Sequence, residues 1–586
     1  MDNQRNLIVA VILTGLLLFG WQAAVDKFYP NANKPPVSAP ASPTASGSVA
    51  TPAKPTRDGG LTNVADIAAE KRDLKTALGS GGRVVIAAPG LTGSINLTGG
   101  SIDDLTTNRH SNNEQSGPER IFSPAGTAAQ QFARFIWSGQ GFAAPDERTV
   151  WTSAPGSRLT PATPVTLTWT NPTGQTFALT YAIDADYMIT ATQTVTNGGA
   201  APITVRPVAM IDRTDKTASL DSFNVHSGPF GAFDAAVDFG PDYGDLKEVG
   251  TIENSGKTDW IGFTDIYWMA TLIADKSDAS SQFRSLGNRT YRANLIYANA
   301  ALAPGQALTR TTRLFAGAKE SAVLDRYEAA GIANFGLAID WGWFRWFEKP
   351  LFWLLTKLFS LVGNFGVAIM LLTLIVRGIM FPLAQRQFAS MAAMKAIQPK
   401  MKALQERYKD DKPRQQQEIM ALYKAEGVNP LAGCLPIFLQ IPVFFALYKV
   451  LTLAIEMRHK PFTLWIHDLS AQDPLHFLNL FGLLDFSVPS LLALGPLALL
   501  LGVTMWLQFK LNPAQMDPVQ QQVFAIMPWM MMFVMAPFAA GLLLYWVTSN
   551  LLTIAQQKFL YSRHPQLAAQ ADKDAEDAKR AKARAG

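Results

Sequence analysis

Asn364-Phe-Gly-Val-Ala-Ile-Met-Leu-Leu-Thr-Leu-Ile-Val-Arg-Gly-Ile-Met-Phe-Pro-Leu383 is the stretch that decides what kind of protein this is. It contains one charge, Arg377, and as a helix rising about 1.5 Å per residue it spans the hydrocarbon depth of a bilayer. An arginine well inside such a run costs roughly 2.5 to 3.5 kcal/mol on insertion scales, so it needs a reason. Two readings stand. The side chain snorkels to the nearer membrane surface, about two turns away, or it is a fixed positive charge in a hydrated groove.

Comparable apolar runs follow at 431–454, 488–508, 523–536 and 541–560, the last two parted by the tight turn Pro537-Phe-Ala-Ala540. Another lies at 7–25, behind a head whose only basic side chain is Arg5. That run just spans a bilayer, and Gln22-Ala23-Ala24 lacks a small residue at both cleavage-site positions, which favours an uncleaved anchor over a cleaved signal peptide. Before the 364–383 span, Trp341, Trp343, Phe344, Trp346 and Phe347 lead into a segment ending at Val362 whose Lys349, Thr356 and Ser360 share one narrow side. A broad apolar face with a thin polar stripe predicts a helix lying in the membrane interface.

Orientation follows from basic residues. Segments 384–430, 509–522 and 556–586 carry nine, one and seven Lys+Arg, against two in the loop 455–487. The first three therefore face the cytoplasm, as do both termini of a six-span chain. The region 26–340 holds 26 Lys+Arg against 30 Asp+Glu, so it is slightly acidic and predicted to lie outside, in the periplasm of a Gram-negative cell. That balance argues against a nucleic-acid-binding domain there. A single cysteine, Cys434, excludes a disulfide framework and any multi-cysteine metal site.

Residues 30–55 are Pro, Ala, Ser and Thr rich and predict a disordered tether. From about 57 to 333 the sequence alternates with period two, as in Val165-Thr-Leu-Thr-Trp169, the turn Asn171-Pro-Thr-Gly174 and Phe177-Ala-Leu-Thr-Tyr-Ala-Ile183. These are hairpins, and their number predicts one large antiparallel β-sandwich, closed by a helical exit at 322–332. The fold class expected is thus a polytopic α-helical membrane protein with a large β-sandwich.

Signs of catalysis are weak. Ser255-Gly-Lys-Thr258 imitates the end of a phosphate-binding loop without its first glycine, and a β-turn is the better reading. His459, His467 and His476 are spaced eight and nine apart, which matches no metal-ligand pattern. No metal, cofactor or small-molecule substrate is expected. Polar side chains do recur within spans: Gln440 between Pro436 and Pro442, and Ser549 with Asn550. Each suits a helix-helix hydrogen bond, and together they suit a shared wet cavity. Fourteen of the 18 Met lie beyond residue 369, which fits either lipid-facing packing or a surface that accepts varied apolar partners. Segment 384–430 reads as two amphipathic helices, with Met391, Met394, Ile397, Met401 and Leu404 on the first and Ile419, Leu422 and Tyr423 on the second, broken at Asp410-Asp-Lys-Pro413.

Ile375-Val-Arg-Gly-Ile-Met-Phe-Pro-Leu383, Ala421-Leu-Tyr-Lys-Ala-Glu426, Val428-Asn-Pro-Leu-Ala-Gly-Cys-Leu-Pro436 and Leu464-Trp-Ile-His-Asp-Leu-Ser-Ala-Gln-Asp-Pro474 closely resemble the YidC family of bacterial membrane protein insertases. Gly93-Ser-Ile-Asn-Leu97, Trp260-Ile-Gly-Phe-Thr-Asp265 and Leu314-Phe-Ala-Gly-Ala-Lys-Glu320 resemble that family's periplasmic domain. The resemblance implies an anchor at 1–25, a linker at 26–56, a periplasmic supersandwich at 57–335, an interfacial helix at 341–362 and a five-span core at 363–565. Within that core lies a cytoplasmic hairpin at 384–430, and a basic tail at 566–586 follows it. It further implies a hydrophilic groove, open to cytoplasm and lipid, with Arg377, Thr373 and Gln440 on it. Tyr545 and Trp546 take the place of a tyrosine pair there, Trp546 departing from the pattern. Nascent membrane proteins, the Sec translocon, ribosomes bound through hairpin and tail, and lipids are the implied partners, and no covalent reaction is implied. A secondary transporter with a polar cavity and a carbohydrate-binding outer domain remain as alternatives; the first lacks internal repeats and the second rests on fold alone.

Overall fold

The computed structural model describes residues 58–79, 81–112, 116–219, 225–275, 279–342, 344–385, 397, 400–401, 403–409, 411–427, 435–484, 494–511 and 518–563. The segments expected as anchor, linker and tail, together with Trp343, lie outside these. Between Asp340 and Trp341 the chain divides into two compact units.

Alternation builds the first unit. Strand Gln175–Ile183 buries Phe177, Leu179, Tyr181 and Ile183 while the residues between them turn outward. It pairs antiparallel with Val165–Thr170, Val165 opposite Tyr181 and Trp169 opposite Phe177. In the turn, the Asn171 side chain accepts from the N–H groups of Thr173 and Gln175, and Gly174 takes a φ of 91°, a conformation glycine adopts without strain.

Such hairpins assemble into an eleven-stranded sheet and an eight-stranded one among the described residues. The larger runs from Thr251–Asn254 through Ile203–Thr214 and Gln131–Gln140 to Arg83–Ala87 and Arg158–Leu159; the last two strands pair in parallel. The smaller runs from Ala236–Asp238 through Trp268–Ile273 and Ala307–Ala318 to Val165–Thr170. Aromatic rings interlock between them: Phe135 with Tyr181 at 5.9 Å, Trp137 with Phe177 at 5.1 Å, Phe283 with Phe263 at 6.2 Å. The unit is therefore a β-sandwich, as its alternation predicts. Ser255-Gly-Lys-Thr258 carries the chain from one sheet to the other. Gly256 has a φ of 86°, the Lys257 N–H donates to Asp234 Oδ1 at 2.8 Å, and a strand follows rather than the helix a phosphate loop requires.

Among the described residues three α-helices accompany the sandwich. The first, α1 (Val64–Gly79), is not foretold by the alternating text and buries none of its residues. It is held by Lys216 on Asp66 at 2.9 Å and by the Ala129 N–H on Glu70 at 2.8 Å. Helix α2 (Tyr243–Val249) starts in a capping box between Asp242 and Asp245. The third, α3 (Ser321–Ala329), is the helical exit expected at 322–332.

The second unit contains α4 (Arg345–Val362), α5 (Phe365–Ile379), α6 (Lys412–Ala425), α7 (Leu435–Leu453), α8 (Pro496–Leu511), α9 (Pro518–Met535) and α10 (Ala540–Arg563). Helix α4 buries Leu351, Phe352 and Leu355 and exposes Trp346 and Trp353. Each of α5, α7, α8, α9 and α10 falls on an apolar run expected to span a membrane. Yet among the described residues no helix is long and apolar enough to cross one. The fifteen residues of α5, for example, rise only about 22 Å.

Part of the segment 384–430 is described. Asp411 caps α6, with Pro413 in its first turn. Lys400 binds Glu426 at 2.6 Å, Tyr423 donates to Met401 Sδ at 3.2 Å, and Gln415 donates to the Gln405 carbonyl at 2.8 Å. Those pairs converge on the break, so the two stretches run antiparallel.

Candidate functional site

Arg377 lies in the last turn of α5, half-buried. Its Nε and Nη2 both donate to Ser549 Oγ of α10, at 3.1 and 2.5 Å. Among the described residues no carboxylate pairs with it. Tyr545 precedes Ser549 by one helical turn and so shares its face of α10. The Gln440 Nε2 of α7 donates to the Tyr545 hydroxyl at 2.7 Å. Three helices thus contribute to one polar line, Arg377, Ser549, Tyr545 and Gln440, in otherwise apolar surroundings. Its single ionised member is a cation and its other members are neutral, so the line attracts anions and offers hydroxyl and amide groups to a polar chain.

The remaining expected residues go elsewhere. Thr373 is buried and its hydroxyl donates to the Ile369 carbonyl of its own helix at 2.6 Å. Asn550, next to Ser549 in sequence, points to another neighbour: its Nδ2 donates to Thr504 Oγ1 of α8 at 3.1 Å, and Thr504 donates in turn to the Leu500 carbonyl at 2.7 Å. That is a helix-helix tie. Trp546 packs on Phe444 of α7 with ring centroids 5.0 Å apart. His459 has Asp468 at 3.9 Å, and among the described residues no cluster of three His, Cys, Asp or Glu could hold a metal ion.

The loop 455–487 does more than its sequence announces. Asp473 is buried, and its carboxylate accepts from Trp465 Nε1 at 3.0 Å, the Leu475 N–H at 3.3 Å and the Leu497 N–H at 3.0 Å. Burial pushes this carboxyl above the usual aspartate range even so, with the hydrogen bonds opposing the shift. Carbonyls of Leu469 and Ala471 accept from the N–H groups of Gly541 and Ala540 at 2.9 and 2.7 Å, at the start of α10. At the start of α5, Asn364 caps the helix through Val367 and donates its Nδ2 to the Phe462 carbonyl at 2.9 Å. Gly366 faces the Phe462 ring so closely that a Cβ would lie 2.0 Å from it. One loop therefore fastens the N-terminal ends of α5, α8 and α10, which places those ends together at one end of the bundle, with the C-terminal end of α7. The Leu464 to Pro474 motif was the available signal.

A family model described as the 60Kd inner membrane protein matches residues 357–567, and one described as the YidC periplasmic domain matches residues 83–354. The membrane protein insertase YidC of Zymomonas mobilis is 40% identical over 575 residues, covering 96% of both chains. Its counterpart from Nitrobacter hamburgensis is 41% identical over 591 residues, again with 96% of each covered. That of Rhizobium meliloti is 41% identical over 581 residues, at the same coverage.

Proposed function

The chain belongs to the YidC family of membrane protein insertases, and from that premise we propose that the polar line through Arg377 is the wall of a hydrophilic groove that receives client proteins. Its function is membrane protein insertion, and its β-sandwich is the periplasmic domain of an inner membrane protein. Beyond this, the proposal has 7–25, α5, α7, α8, α9 and α10 cross the membrane as six spans. Both termini and the hairpin then lie in the cytoplasm, with the β-sandwich outside. The shared attachment of α5, α8 and α10 to loop 455–487 supports that alternation, because those three helices start, and α7 ends, on one side.

The observation that carries the groove is Arg377 itself: a guanidinium in an apolar helix whose hydrogen bonds go to one neutral hydroxyl. A structural ion pair would have supplied a carboxylate. With none among the described residues, the charge is available to the short hydrophilic tail of an incoming protein, most strongly if that tail is acidic. Entry into the groove shortens the tail's path through hydrocarbon. Transfer of the client's apolar span into lipid, at about 25 cal/mol per Å², then drives the step without ATP or any covalent reaction. The Sec translocon and the ribosome, the latter through the basic hairpin and tail, are the partners proposed alongside the nascent chain and lipids.

Photocrosslinkers placed singly along α7 and α10 test the groove. One at Gln440 should label a stalled nascent membrane protein, and one at Asn550, which faces Thr504, should not. Labelling at position 550 equal to that at position 440 would remove the basis for the assignment.

A further inference from the structure

Phe477-Leu-Asn-Leu-Phe-Gly-Leu-Leu484, in the loop between α7 and α8, carries no charge, and all six of its large apolar side chains are exposed, Leu483 by 83% and Phe481 by 47%. In water this is an unfavourable surface. It is also an ordered one. Leu480 and Phe481 hold φ values of 50° and 59°, a left-handed conformation that costs side chains other than glycine free energy and needs enforcing. The enforcement is local: the Leu480 N–H donates to the Phe477 carbonyl at 3.0 Å, Phe481 to His476 at 2.8 Å, Leu484 to Asn479 at 3.0 Å, and the Phe477 and Phe481 rings pack edge to face at 6.2 Å.

Two features of that arrangement name the medium it faces. Backbone groups entering hydrocarbon must find partners within the protein, and these turns provide them. Further, the Phe477 N–H donates to the Leu494 carbonyl at 2.8 Å, which joins the loop to the start of α8. From there the exposed Leu500, Val503 and Leu507, spaced three and four apart, continue an apolar stripe down that helix. The loop prolongs a surface that, on the reading of α8 as a span, already faces acyl chains.

We propose that residues 477–484 are a lipid-inserting loop, with Phe481 and Leu483 buried among the acyl chains of the outer leaflet as an interfacial wedge beside α8. The inference rests on the six-span reading. A protein partner covering the same side chains is the competing occupant.

The test uses the full chain with its only cysteine removed by Cys434→Ser, reconstituted in nanodiscs of phosphatidylethanolamine and phosphatidylglycerol. Single cysteines Phe481→Cys and Leu483→Cys carry a nitroxide, and collision with oxygen is compared with collision with a water-soluble nickel chelate. Val503→Cys reports the flank of α8, and Gln306→Cys on the β-sandwich reports water. Expected are oxygen-to-nickel ratios at 481 and 483 that lie several-fold above that at 306 and approach that at 503. Ratios at 481 and 483 as low as that at 306, with 503 oxygen-rich, would overturn the wedge and leave a surface for a protein. A low ratio at 503 as well would overturn the span reading and the wedge with it. Leu483, the more exposed of the two, keeps the test valid if the Phe481 variant unfolds.

Discussion

The carboxylate of Asp473 and the backbone N–H of Leu497 meet at 3.0 Å, across 24 positions of sequence, where α8 begins. Peptide dipoles favour a negative charge there, and the first N–H groups of a helix have no partner of their own. The same carboxylate holds Trp465 and Leu475, and Gly495 passes so near that a Cβ would come within 2.4 Å of it.

Asp473→Ala should therefore destabilise the helical unit by about 2 to 3 kcal/mol, since it orphans three donors. Asp473→Asn keeps the shape and should lose less. Thermal unfolding in detergent micelles measures both. Because burial raises this carboxyl above the usual aspartate range, the folded state binds its proton at higher pH than the unfolded state does. Its own contribution thus favours folding as pH falls through that window, and the Asn variant should lack that gain. An Ala variant as stable as the parent would contradict the capping role.

Arg377 separates a groove charge from a snorkelling one. If the charge attracts acidic tails, Arg377→Lys should keep much of the insertion of an acidic client, since a point charge suffices at long range, and Arg377→Glu should abolish it. The Glu variant should be partly rescued for a client with a basic tail. Protease protection at equal insertase abundance reads each case. Equal insertion of the acidic client by the Ala, Lys and Glu forms would return Arg377 to snorkelling.

Lys319, buried in the β-sandwich with its Nζ donating to Thr264 Oγ1 at 3.1 Å, is pushed down by burial to about 8, although Asp265 and Asp340 pull it the other way. Between that value and 10.5 the unfolded state holds the proton more firmly, so this group's contribution makes folding more favourable as pH rises across the window. Lys319→Met should flatten the rise, by about 3 kcal/mol over the whole interval. Calorimetry of the β-unit transition at pH 7.5, 8.5 and 9.5 compares the two, and parallel profiles would count against the buried-amine account.

Removal of residues 60–320 should leave insertion largely intact, because the polar line, the hairpin and α4 all lie outside them. Growth of cells depleted of their native insertase tests this. A truncated chain that reaches normal membrane levels and still fails to restore growth would show that the β-sandwich is needed for the reaction.

Elements governed by local periodicity were legible in the sequence. The hairpin through Asn171 and Gly174 was readable because its alternation and its turn chemistry agree, and α6 because Asp411 and Pro413 mark its start. Helix α1 was not, since none of its residues is fully buried and its half-buried Ile67, Leu74 and Leu78 are thinly set among charges; two polar contacts help hold it. In the site, Arg377, Gln440 and Ser549 announced themselves as polar groups in apolar runs. That Ser549 faces α5 while Asn550 faces α8 depends on the rotation of α10, which packing sets. Asp473 was hidden for a similar reason, because its partner Leu497 is named only by the folded chain.

Asn364 and Gly366 pin one end of α5 against Phe462, whereas Arg377, thirteen residues on, touches α10 through a single hydroxyl. Mechanically the helix is a lever clamped at one end, with its charge about 20 Å from the fulcrum. A tilt of about 10° around that clamp displaces the guanidinium by about 3.5 Å, enough to break its contact with Ser549, while the clamped end hardly moves. Any tilt of α5 therefore moves its charge far more than it moves the contact with Phe462.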